Sequence, residues 1–231
     1  MEKNISNEIL SSCMWLSSPS LPVGGFSWSQ GLESAIEYSF VFDRDSLLKY
    51  LKGMLDYSIA LWDLPFIKRF IESSEKQDNN EFKKLDLMLK SGRGTKELYE
   101  EECSMGKALK SLITSLGMFP PWLNSAQDYS YVGMFSLSFF QRVKDIDENK
   151  IKNLMWAYAF SWAQNQTSVA CKTVPLGQTD AQKVLIELND NIDKAVETAL
   201  DLEDDELGSS LPGSFICSAL HENQYSRLFR S

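Results

Sequence analysis

Leu154-Met155-Trp156-Ala157-Tyr158-Ala159-Phe160-Ser161-Trp162-Ala163 leaves a helix hardly any polar face. A helix that is apolar on every side must be surrounded by protein, so this run places one helix in the middle of a bundle. Beyond the break at Val174-Pro175-Leu176-Gly177-Gln178, the residues Ala181, Val184, Leu185, Leu188, Ile192, Ala195, Val196, Ala199 and Leu200 advance by threes and fours. That spacing predicts one long amphipathic helix, with Thr179-Asp180-Ala181-Gln182 as its capping box. Before the central run, Met105, Ala108, Leu109, Leu112, Ile113 and Leu116 form another stripe, in a helix expected to begin near Thr95 and stop before Pro120-Pro121. Leu47, Leu48, Leu51, Leu55 and Ile59 form a third, capped by Asp43. No alternating runs joined by Asn-Gly or Asp-Gly turns argue for strands. The expectation is an all-α, single-domain bundle of roughly eight to ten helices. Its body spans residues 1–207; residues 208–231 are read as a linker, Gly208 to Ser214, followed by a flexible C-terminal docking tail.

With 231 residues and 43% apolar content, the chain can bury a substantial core. It has no run near the ~20 apolar residues that cross a bilayer, and Met1-Glu2-Lys3-Asn4 lacks a signal-peptide pattern, so a cytoplasmic location is expected. Asp and Glu number 32 against 23 Lys and Arg, a formal charge of −9. That balance opposes binding to nucleic acid or an anionic membrane and favours a basic partner. The four cysteines, Cys13, Cys103, Cys171 and Cys217, include no CxxC pair, and free buried thiols are expected.

His221 is the only histidine. This removes HExxH sites and multi-histidine zinc sites, and any Ser-His or Cys-His catalytic pair would have to use a residue close to the end of a tail. There is no Walker A loop, and Gly24, Gly25 and Gly31 do not match GxGxxG. An enzyme is therefore disfavoured.

Two irregular segments and the tail stand out. Leu21-Pro22-Val23-Gly24-Gly25-Phe26-Ser27-Trp28-Ser29-Gln30-Gly31-Leu32-Glu33 joins a Pro turn and paired glycines to an expected second capping box, Ser27 to Gln30. It either packs Phe26 and Trp28 inward or presents them to a partner. Pro175, Gly177 and Gln178 form the other break. The final Tyr225-Ser226-Arg227-Leu228-Phe229-Arg230-Ser231 sets guanidinium groups beside apolar anchors, a combination enriched at interfaces; a terminal segment folded onto its own core is the alternative.

At these segments the chain resembles the urease accessory protein F family (UreF). The matching residues are Leu21 to Glu33, Asp63-Leu64-Pro65, Arg93 with Thr95, Glu97 and Leu98, Lys172 to Gln178, and His221-Glu222 with Tyr225 to Ser231. The resemblance implies an all-helical, non-catalytic protein, often a homodimer, that works in the assembly of the urease nickel centre. It would bind the accessory protein UreD (also called UreH) and recruit the GTPase UreG, and the complex would pass nickel to the urease apoprotein. No cofactor would be bound stably, with nickel only in transit. Residue by residue, Tyr225, Ser226, Arg227, Leu228, Phe229, Arg230 and Ser231 would bind UreD/UreH, and Lys172 and Glu33 would face UreG. Pro22, Gly24, Gly25, Phe26, Ser27, Gln30, Gly31, Arg93, Glu97, Pro175, Gly177 and Gln178 would carry the family's structural motifs. The chain has Asp128-Tyr129-Ser130 where many members have a histidine ahead of the helix expected near Tyr131. An alternative reading is a nickel-binding carrier using Cys217 and His221, which sit four residues apart on one helical face.

Overall fold

In the computed structural model, which describes residues 6–174, 176–209 and 211–231, the chain is helical, with no strand among the described residues. Helix α1 (Asn7–Leu16) starts at Ser6, whose hydroxyl accepts the Ile9 N–H. A 3₁₀ turn (Gly25–Ser27) and the short α2 (Leu32–Glu37) follow. Helix α3 (Arg44–Met54) has the expected Asp43 cap, reinforced by Ser46 into a reciprocal capping box. Helices α4 (Leu64–Glu75), α5 (Asn79–Ser91) and α6 (Lys96–Ser115) come next; α6 begins beside Thr95 as expected, and the Thr95 side chain caps it. Then come α7 (Tyr131–Phe140), α8 (Glu148–Thr173), α9 (Gln178–Glu187), α10 (Asn189–Asp201) and α11 (Pro212–His221).

The apolar run at Leu154 lies in α8, which packs against α1, α2, α4, α9 and α10. Its least covered rings, Trp156 and Phe160, stack 5.1 Å apart, and the Trp156 indole donates to Asp193 at 2.9 Å. Helix α7, buried without interruption from Val132 to Phe139, fills the gap between α4 and α6. Aromatic rings then run through the core from Trp62 by Phe66, Phe70 and Phe82 to Tyr129, with centroids 4.7–6.2 Å apart. Gly106 lets α6 approach the segment before α7: a Cβ there would lie 2.0 Å from the Tyr129 carbonyl oxygen.

Four local expectations are corrected. The long stripe from Ala181 to Leu200 belongs to two helices that break at Leu188, where the short polar side chains of Asn189, Asp190 and Asn191 favour turns over helix. Leu188 is fully buried, so the apolar spacing runs through the break unaltered. The first of these helices starts at Gln178 after Gly177, without the capping box expected at Thr179. The stripe from Leu47 to Ile59 leaves α-helical winding at Leu55 and continues as a π-helical segment to Asp63. Pro65 follows and has no N–H to return to the preceding turn; the Leu61 carbonyl accepts instead from Gly208 at 3.2 Å. Gly208 is thereby tied to the body, and α11 already begins at Pro212, within the stretch expected to be a linker. Ser210 lies outside the described residues.

Candidate functional site

Helix α6 sets Glu97 and Glu101 one turn apart on a buried face, with Glu102 beside them. Glu33, in the first turn of α2, is also buried, and α11 carries His221, which is wholly inaccessible, into the space between. The His221 imidazole meets a carboxylate on each side, Nδ1 to Glu97 at 2.7 Å and Nε2 to Glu33 at 3.1 Å. Both ring nitrogens thus have a carboxyl oxygen within hydrogen-bond reach, and which of them donates depends on the tautomer.

The same carboxylates hold the end of the chain. Glu33 accepts the backbone N–H groups of Leu228 at 2.8 Å and Phe229 at 3.0 Å, and Arg227 donates to Glu97 at 2.8 Å. Beyond them, Arg230 N–H donates to the Ser27 carbonyl at 2.8 Å, and the Ser231 carbonyl accepts from the Ser29 N–H at 3.0 Å and from the Ser29 hydroxyl. Gln30, with a left-handed φ of 54°, aims its N–H at the Ser231 hydroxyl, 3.1 Å away. The Ser231 hydroxyl in turn donates to Glu101 at 3.3 Å. Phe229 is buried under the Lys172 ammonium, 5.4 Å above its ring, and Arg230 lies 5.6 Å over Trp28. Tyr225 and Leu228 point outward and are largely exposed.

Beneath this clamp lies a second charged cluster. Arg93 contacts Asp63 through both terminal nitrogens, at 2.6 and 3.2 Å, and Glu102 at 2.6 Å. Tyr158 donates to Asp63 at 2.8 Å, and Glu102 accepts the Val132 N–H at 2.9 Å. Burial works against the Arg93 charge, but Asp63 and Glu102 outweigh it and hold the guanidinium well above its ordinary range. Burial also raises Glu102, opposed by Arg93, and raises Tyr158 strongly. Glu101 makes no ion pair within this cluster; burial pushes its carboxyl up to about 8. Gln30 orients it, donating to Glu101 at 2.8 Å while accepting the Trp162 indole N–H at 2.7 Å. Gln30, Glu101 and Glu102 line both a cavity of about 170 Å³ that opens beside Phe26 and Pro19, and one of about 40 Å³ beside Arg93 and Ser214.

The UreF family model matches residues 41–189 of the chain. The chain belongs to the UreF family. It is similar along nearly its whole length to the urease accessory protein UreF of Chromohalobacter salexigens, with 41% identity covering 96% of this chain and 94% of the relative. The urease accessory protein UreF of Pseudoalteromonas translucida is 38% identical, covering 94% and 92%, and that of Teredinibacter turnerae 36%, covering 98% and 100%. The family model thus stops short of the Leu21–Glu33 loop and the final segment, whereas these relatives span most of the chain.

Within this UreF-family chain the structure gathers the Leu21–Glu33 loop, Arg93, Glu97, Lys172, His221 and the final segment around the first turns of α6. Ser27 and Gln30 do not form the expected capping box; α2 starts instead at Gly31, whose φ of 79° and close approach to Ser218 leave no room for a Cβ. The loop divides its two rings, Trp28 inward and Phe26 outward. Pro22 and Gln178 are exposed, and Pro175 lies outside the described residues. His221, expected on a poorly held tail, is fixed inside, and its neighbour Cys217 is buried. Among the described residues no group of three or more His, Cys, Asp or Glu side chains is arranged to hold a metal ion. The four cysteines are free, and among the described residues no helix is long and apolar enough to cross a membrane. The sequence reading missed Glu101, Glu102 and Tyr158. Their available signal was position, since these polar groups fall on the helix faces that carry the buried stripes.

Proposed function

We propose that this chain is a non-catalytic adaptor in the maturation of urease: it joins UreD/UreH to the GTPase UreG in a cytoplasmic complex that delivers nickel, the cargo, to the urease apoprotein. Homodimerisation would give the complex two copies of each surface. Membership of a family whose curated relatives carry the name urease accessory protein supports the general reading. The particular observation that supports the adaptor role is the split within residues 225–231. The backbone from Leu228 to Ser231 and the Phe229 ring are fastened to the body, while Tyr225 and Leu228 are offered to solvent. Two large apolar groups on an already ordered backbone suit a partner interface, because each contributes about 1.5–3 kcal/mol on full burial and little ordering cost remains. Lys172, exposed and steadied by the Phe229 ring, extends the same face and is the candidate contact for UreG; Glu33 acts in this reading by positioning the segment.

The test is co-expression with UreD/UreH and UreG, followed by gel filtration of the wild type and of a Tyr225→Ala, Leu228→Ala double variant. The variant should keep its helical circular dichroism and fail to co-elute with UreD/UreH. Co-elution equal to wild type would refute the role assigned to the segment.

A further inference from the structure

We propose that Tyr38, Phe40 and Phe42, in the loop between α2 and α3, form a docking surface for a basic partner protein, separate from the final segment. The three rings are set on a backbone that is fixed throughout. Every backbone N–H from Tyr38 to Asp43 is hydrogen-bonded. Tyr38 donates to the Ser34 carbonyl and Ser39 to that of Ile36, the Ala35 carbonyl accepts from both Phe40 and Val41, and the Ser46 hydroxyl accepts from both Phe42 and Asp43. Ser39 takes a left-handed φ of 61° to end α2, a place where helices most often carry glycine. Val41 is fully buried and pins the loop, whereas Tyr38, Phe40 and Phe42 are 50%, 62% and 62% exposed. A loop already held in this way loses little freedom on binding, and aromatic side chains are enriched in the cores of protein interfaces.

The charge around the rings decides what can cover them. Residues 37–45 contain Glu37, Asp43 and Asp45, all exposed, and one cation, Arg44, whose guanidinium is taken up by Asp45 at 2.8 Å and by Glu187. The next cations, Lys49 on α3 and Lys183 on α9, lie at least a turn further along their helices. The Glu187 contact brings the end of α9 to the loop, and its neighbour Ile186 is exposed as well. Aromatic faces rimmed by carboxylates suit lysine and arginine side chains, whose stems and cations lie on the rings while the carboxylates meet their charge. The net charge of −9 acts in the same direction. A second copy docked about a two-fold axis would set Glu37, Asp43 and Asp45 against carboxylates of their own kind, and an anionic membrane would repel them.

In the adaptor reading, on which this surface rests, it adds a second contact to the assembly. It lies at the far end of α2 from Glu33, the residue that holds Leu228 and Phe229, so its occupancy can be measured separately from that of residues 225–231. The partner is defined by its chemistry, a surface on which lysines or arginines stand among apolar side chains. Because charges at an exposed rim are screened by salt, attachment should weaken as ionic strength rises.

The experiment is hydroxyl-radical footprinting of the full-length chain, alone and in the complex co-expressed with UreD/UreH and UreG, with oxidation of each ring read by mass spectrometry. Tyr38, Phe40 and Phe42 should be oxidised several-fold more slowly in the complex, and at one rate across a dilution series of the free chain. Unchanged rates in a complex that does form would overturn the surface and leave the adaptor reading standing; failure of any complex to form would overturn both. Protection in the free chain that is lost on dilution would give the surface to a second copy and sink the proposal. Affinity then tests the partner's chemistry. Phe40→Ser with Phe42→Ser should weaken the complex by about tenfold or more while leaving the circular dichroism spectrum unchanged. Glu37→Lys with Asp45→Lys should weaken it comparably and flatten its salt dependence. Binding equal to wild type by the first pair would refute the surface, and by the second a basic partner.

Discussion

Glu33 and His221, 188 positions apart in the chain, face each other at 3.1 Å, and the Glu33 oxygens also accept the backbone N–H groups of Leu228 and Phe229. One buried carboxylate therefore joins the start of α2, the end of α11 and the segment that follows.

Replacing Glu33 by Ala should strand those two N–H groups and one side of the imidazole. Unpaired buried groups cost about 1–3 kcal/mol each, so the final segment is expected to detach before the bundle unfolds. Hydrogen exchange should show lost protection at residues 228–231 with α7 and α8 unaffected; retained protection there would contradict the assignment.

Arg93→Met removes the cation held between Asp63 and Glu102. Because both carboxyls stay buried, the loss expected in a urea titration is about 3–5 kcal/mol, and Arg93→Lys should recover only part of it, lacking the two-pronged contact with Asp63. A loss within the range of an ordinary surface substitution would show that the cluster is not a folding constraint.

Gly31→Ala places a Cβ 2.8 Å from the Ser218 nitrogen at a φ of 79°. Both effects disfavour the native state, and a drop in stability of more than about 1 kcal/mol is expected by thermal melting. Gly53→Ala, in an α-helix with open space at the Cβ, serves as the control and should be neutral or stabilising.

The pH profile of global stability should carry the signature of Glu101. Its folded pKa is raised, so its contribution is complete at low pH and is lost as pH rises towards about 8. The unfolding free energy of the wild type should decline relative to Glu101→Gln by about 1 kcal/mol per pH unit over that interval. Parallel profiles would mean that Glu101 is already ionised in the folded chain.

The sequence alone determined the helical class, because three- and four-residue spacing survives in every long segment and each stripe has to be buried. It also placed the Asp43 cap and the start of α6 near Thr95, both of which depend on residues within one turn. Its mistakes were local competitions that spacing does not register: the stripe passes through Leu188 although the backbone breaks there, and it continues past Leu55 although the winding widens. Only the tertiary structure decided that Phe229 turns inward while Leu228 and Tyr225 turn outward, and that the carboxylates of Glu33, Glu97 and Glu101 converge on His221 and Ser231. The reason is one of range. Periodicity fixes which face of a helix is buried, whereas the meeting of α2, α6 and α11 depends on how the packed helices cross, and that is set by the whole core together.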